Sequence, residues 1–152
     1  MVEIFDPSGK RLLERLLAKN PEFDEYLVAG QPSAEPYQTV HPRLHIPSAH
    51  PTIKTPLTIE LSGHLQVFWY RGYFFDFVGL SNSIDEEAFK FIEKFFAEEL
   101  LLSVCLKNGL VSSGGPIECS STNDYKQWIT SEGEMLEIRS WLGTHDQDLV
   151  MS

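Results

Sequence analysis

The sequence predicts an α+β fold: one antiparallel β-sheet of about five to six strands with two main helices packed on one face. Three observations lead there. Two segments repeat apolar residues at helical spacing behind capping residues. Several short segments instead alternate apolar and polar residues with a period of two. The order is helix, strands, helix, strands, with no internal repeat, unlike the regular strand–helix alternation of a parallel sheet. With 152 residues, 42% of them apolar, and ten Phe, five Tyr and three Trp, the chain fits a single domain over 1–152 with a sizeable core.

The first helix is read from DPSGKRLLERLLAKNP. Asp6 is a good N-cap, because its carboxylate accepts from free backbone N–H groups of the first turn, and Pro7 suits the first helical position. Leu12, Leu13, Leu16 and Leu17 form one apolar stripe, and Asn20-Pro21 stops the helix. Residues 28–56 hold six prolines and read as an ordered, extended loop, with RLHI as a candidate short strand.

In LTIELSGHLQVFWYRGYFFDFVGL, Leu57, Ile59 and Leu61 alternate with polar neighbours, and Ser62-Gly63 signals a hairpin turn. LQVFWY and YFFDFV follow as aromatic strands around a turn or bulge at Arg71-Gly72. Alternation sends only half of these rings to the core, which leaves Phe68, Tyr70, Phe74 and Asp76 as candidates for the other face. The second helix is read from SNSIDEEAFKFIEKFFAEEL, with Ser83 and Glu86 as a capping box and Asp85 and Glu86 at the positive end of its dipole. Ile84, Ala88, Phe89, Ile92, Phe95, Phe96 and Leu100 line one broad face. Next come a strand at about 101–107, an Asn108-Gly109 turn, a return strand at 110–113, a loop with a candidate short strand around Ile117, and a final strand in GEMLEIRSWLG. Residues 144–152 form a polar tail expected to fray.

Twelve basic and twenty-two acidic residues give a net charge of -10. That field repels nucleic acid and anionic lipid and attracts basic surfaces. The N-terminal residues do not read as a signal peptide, and no apolar run reaches the roughly 20 residues of a membrane span, so a cytoplasmic location is expected. Cys105 and Cys119 are expected to be free thiols.

No motif announces chemistry. His41, His45 and His50 fall within HPRLHIPSAHP. In an extended segment, residues four apart lie about 13 Å apart at roughly 3.3 Å per residue, too far to share one metal without a turn. No metal, cofactor or catalytic residue is therefore assigned. His145-Asp146 are sequence neighbours rather than a triad, GxSxG is absent, and SSGGP lacks the following Lys and helix of a phosphate loop, so it reads as a turn. The acids Asp85, Glu86, Glu87, Glu98 and Glu99 read as a solvent-facing charged surface.

The whole layout is a capped helix, a proline-rich lead-in, an aromatic meander, a capped helix ending EEL, an Asn-Gly hairpin and a late SWLGTHD strand. In size, charge and layout it resembles the small acidic immunity proteins of bacterial toxin systems. The resemblance implies a single-domain inhibitor that docks on a cognate basic toxin without chemistry, and it carries over no site residues. The expected function is non-enzymatic binding of a basic protein through Asp76, Asp85, Glu86, Glu87, Glu98, Glu99, Phe68, Tyr70 and Phe74, by a monomer or homodimer. The alternatives are a small enzyme using His, Cys or carboxylate groups in a pocket, and a homo-oligomeric structural subunit.

Overall fold

The computed structural model describes residues 6–30, 41–62, 65–72, 74–77, 84–120 and 132–150, apart from the side chains of 72 and 74–76. The fold is α+β, but it holds two antiparallel sheets rather than one sheet of five to six strands. The chain divides into two compact units, Met1–Ser48 with Lys54–Lys90, and Ala49–Ile53 with Phe91–Ser152. Among the described residues, each strand of the first sheet pairs with its neighbours in sequence, so that meander ends before the second helix begins.

In the first unit, α1 (Pro7–Lys19) starts as its sequence predicts: the Asp6 carboxylate accepts from the Ser8 N–H at 3.2 Å and Pro7 follows. Leu12, Leu13 and Leu16 are buried, whereas Leu17 is half-buried. Gly9 is buried against the chain at Leu61; a Cβ added there would lie 2.3 Å from the Leu61 carbonyl oxygen. After Asn20 the chain turns through a 3₁₀ helix, Pro21–Tyr26, which packs on α1. The first sheet has the order β1 (Leu27–Val28), β2 (Arg43–Ile46), β3 (Leu57–Glu60), β4 (Gln66–Phe68), β5 (Phe74–Asp76). Strand β2 is the RLHI segment, bracketed by Pro42 and Pro47, where its flanks need no ladder donor. The remainder of the proline-rich loop includes 31–40, which lie outside the described residues, as do Gly63, His64 and Ser83, where the hairpin turn and the capping box were expected.

Helix α2 (Ile84–Phe96) ends within the second unit. Its last turn closes with two reciprocal bonds, Glu98 N–H to the Phe95 carbonyl at 3.1 Å and Glu99 N–H to the Lys94 carbonyl at 2.9 Å. This is a Schellman arrangement with Glu98 at the left-handed position, φ 59°, where glycine is the usual residue. The second sheet has the order β7 (Leu110–Glu118), β6 (Leu100–Lys107), β8 (Glu134–Arg139), β9 (Gln147–Val150). Asn108 and Gly109, with φ 52° and 80°, make the predicted tight turn.

Two expectations fail in this unit. The return strand does not stop at 113, and SSGGP is not a turn: β7 runs through it to Glu118. It is an edge strand among the described residues, so Pro116 is tolerated, and the Ser103 hydroxyl donates to the Gly115 carbonyl at 2.8 Å, tying the glycines to β6. Nor does 144–152 fray throughout, because Gln147–Val150 forms β9 and pairs with β8 from Ile138 to Met135. The strand read as final is therefore the penultimate one.

Candidate functional site

The two faces of the first sheet differ in chemistry. Leu44 and Ile46, Leu57 and Ile59, and Val67 alternate inward and are at most 4% exposed. The registers Arg43↔Glu60↔Gln66↔Asp76 and His45↔Thr58↔Phe68↔Phe74 run across the same strands at the intervening positions. Two-residue alternation places Arg43, His45, Thr58, Glu60, Gln66 and Phe68 on the opposite face. Arg43 is exposed, and His45, Thr58, Glu60, Gln66 and Phe68 are half-buried. Neighbours on this face hold one another: His45 Nδ1 and Thr58 Oγ1 are 2.9 Å apart, and Arg43 Nη2 lies 3.7 Å from Glu60 Oε2. The face is therefore polar and ordered, with Phe68 at the end of the fourth of its five strands and Phe74 its register partner on the fifth.

Of the aromatic candidates, Phe68 and Phe74 share a cross-strand pair and Asp76 pairs with Gln66. Tyr70 is not in the strand. It sits in the 3₁₀ turn Tyr70–Gly72, where its hydroxyl accepts from Arg71 Nε at 3.0 Å and its ring lies 5.2 Å from the Arg71 guanidinium. Arg71 takes a left-handed φ of 58° in the turn expected at Arg71-Gly72. Beside the opposite edge, Glu22, Asp24 and Glu25 are exposed on the 3₁₀ helix leading into β1, whose Val28 is 52% exposed.

Not all of the acids that read as a charged surface face solvent. Glu87 and Glu99 are exposed, and Glu86 is half-buried beside Lys90 at 3.2 Å. Asp85, 3% exposed, accepts from Arg11 Nε at 3.2 Å and Arg15 Nε at 3.0 Å. Burial pushes its carboxyl pKa up, but the hydrogen bonds from both arginines and the charge of Arg11 outweigh burial and hold it below the ordinary carboxylate value. Glu98, 8% exposed, accepts from the Leu142 N–H at 2.8 Å and the Thr144 hydroxyl at 3.2 Å. Both are internal ties, and period-3.6 patterning alone could not reveal their partners.

The second unit also contains a His–carboxylate pair that the sequence does not disclose, since its members are 96 residues apart. His50 Nδ1 accepts from the backbone N–H groups of Thr52 at 3.1 Å and Ile53 at 3.0 Å. The ring hydrogen therefore sits on Nε2, which donates to Asp146 Oδ2 at 2.6 Å. Asp146 Oδ1 accepts from the Ser140 N–H at 2.9 Å, and Ser140 Oγ accepts from the His145 N–H at 3.0 Å. A general base needs a ring nitrogen facing its substrate. Both nitrogens of His50 are engaged within the protein, its side chain is 2% exposed, and Ser140 is 0% exposed. The arrangement fastens the 140–146 turn to the His50 loop and does not present a nucleophile. His145 points elsewhere, its Nε2 3.6 Å from Glu98 Oε2.

Cys105 and Cys119 are free thiols, half-buried against Leu101, Ile117, Leu136 and Ile138. Among the described residues, no three His, Cys, Asp or Glu side chains converge as metal ligands, and no helix is long and apolar enough to cross a membrane. The chain matches no protein-family model, no curated protein and no solved structure.

Proposed function

We propose that the chain is a non-enzymatic, acidic protein-binding module of the immunity-protein type, which docks a basic protein through the open face of its first sheet. The observation that supports this reading is the register that sets Arg43, Glu60, Gln66 and Phe68 opposite a fully buried core face. An aromatic side chain inside a polar, hydrogen-bonded surface is the anatomy of an interface centre with its rim. The net charge of -10 supplies long-range attraction for a basic partner, and exposed Glu22, Asp24, Glu25 and Glu87 contribute to it in the same unit. A cytoplasmic partner, such as a toxin, belongs to the same proposal.

Capture from native lysate with the tagged protein tests the reading. The expected result is one stoichiometric basic protein that binds at low salt and is released as salt rises, because charge steering between exposed groups is screened within about 10 Å at 0.1 M. Retention of the same partner at all salt concentrations contradicts the electrostatic mechanism.

A further inference from the structure

Helix α1 departs from the acidic character of the chain. Lys10, Arg11, Arg15 and Lys19 are all exposed on it, four of the twelve basic residues, against one exposed acid, Glu14. Beside this helix lies an open groove of about 380 Å³ lined by Arg11, Glu14, Arg15, Ala18 and Asp85. Arg11 and Arg15 stand one helical turn apart, and both guanidiniums converge on Asp85, one on each carboxylate oxygen.

The atoms used in that convergence decide what remains. Each arginine gives Nε, the donor nearest its own backbone, to Asp85. Arg11 also gives Nη2 to the Ser8 hydroxyl at 3.3 Å. The two terminal nitrogens of Arg15 and Nη1 of Arg11 take no part in those bonds, on side chains that are 45% and 48% exposed. Asp85 itself is 5% exposed at its side chain, so it is enclosed by the arginines rather than offered to solvent. A guanidinium anchored at Nε loses most of its rotamer freedom before any ligand arrives, and its planar fork is then pre-organised for an oxyanion.

We infer that this groove binds a tetrahedral oxyanion, a phosphoryl group, between the guanidiniums of Arg11 and Arg15, with Asp85 as the residue that positions both. Arg15 keeps both terminal nitrogens and Arg11 keeps Nη1, so three nitrogens stand ready, a match for the three oxygens of a phosphoryl group rather than the two of a carboxylate. Glu14 lines the same groove and opposes the ligand, so affinity for a small anion is modest. The site is independent of the sheet face proposed to dock a basic protein, and failure of either leaves the other standing.

The test is an NMR titration of the ¹⁵N-labelled full chain with inorganic phosphate, phosphoserine and acetate, each at constant ionic strength. It follows the Nε–Hε signals of Arg11 and Arg15. Saturable shifts with a Kd of about 1–10 mM for either phosphate form are expected, near the weak end of specific binding. The ratio of the two phosphate affinities separates a free anion from an ester. Arg15→Lys keeps the charge and removes the fork, and is expected to weaken phosphate about tenfold while the backbone amide spectrum stays intact. Glu14→Gln is expected to tighten it about twofold to threefold by removing a nearby like charge. Shifts that never saturate, acetate binding as tightly as phosphate, or an Arg15→Lys variant with unchanged affinity would each overturn the assignment.

Discussion

Replacing Glu98 separates two opposed energies at one residue. Its backbone is left-handed, φ 59°, which costs a non-glycine residue about 1 kcal/mol. Its carboxylate accepts from the Leu142 N–H at 2.8 Å and the Thr144 hydroxyl at 3.2 Å. A bond to a charged acceptor contributes about 1.5–3 kcal/mol, and the longer bond from exposed Thr144 about 0.5 kcal/mol, because water replaces it readily. Together the ties stabilise by about 2–3 kcal/mol. Glu98→Gly loses the ties and relieves the backbone, for a net loss of about 1–2 kcal/mol. Glu98→Ala loses the ties and keeps the strain, for a net loss of about 2–3 kcal/mol. Urea unfolding followed by fluorescence reads both variants. With a slope of about 2 kcal/mol/M, the midpoint falls by about 0.5–1 M for Gly and about 1–1.5 M for Ala. A Glu98→Gly midpoint at or above wild type would refute the stabilising role of the carboxylate. An Ala variant as stable as the Gly variant would refute the strain.

Gly9→Ala gains about 1 kcal/mol of helix propensity but drives a Cβ to 2.3 Å from the Leu61 carbonyl oxygen. Overpacking against backbone costs about 1–3 kcal/mol, so a melting temperature lower by roughly 3 °C is expected, and a rise would show that the chain yields at no cost. His50→Ala orphans the N–H groups of Thr52 and Ile53 and leaves Asp146 Oδ2 without its donor, an expected loss of about 2–4 kcal/mol by chemical denaturation; a change below about 0.5 kcal/mol would exclude the fastening role. Asp85→Asn tests the lowered carboxyl: a depressed pKa contributes stability in full above the unfolded value of about 3.9 and loses it as pH falls through the folded value. The gap between wild type and Asp85→Asn is therefore expected to be wide at pH 7 and to narrow in acid; an equal gap at pH 7 and about pH 3 would contradict the sign.

Local signals in the sequence located most elements because their causes are local. Asp6 with Pro7 caps α1, Asn108-Gly109 turns β6 into β7, and alternation in LTIE and QVF orients β3 and β4. The same alternation in RLHI, carried across the registers, places Arg43 and His45 on the face of Phe68. What stayed hidden depends on distant partners. Asp85 and Glu98 sit where an amphipathic pattern expects solvent, yet Arg11, Arg15 and the Leu142 turn reach them across 74, 70 and 44 residues. Pairing of His50 with Asp146 has no sequence spacing to betray it. The glycines of β7 read as a turn because intrinsic preference omits the Ser103 bond that holds Gly115 to its neighbour. Division into two sheets was equally hidden, since strand alternation fixes a face and not the sheet to which it belongs.

The most direct measurement is the dissociation constant of the captured basic partner for wild type and for Phe68→Ala, compared at one salt concentration in variants of matched melting temperature. Truncating an aromatic anchor at an interface centre costs about 2 kcal/mol or more, so binding at least tenfold weaker is expected. Equal affinity for the two proteins would contradict docking on the open face of the first sheet.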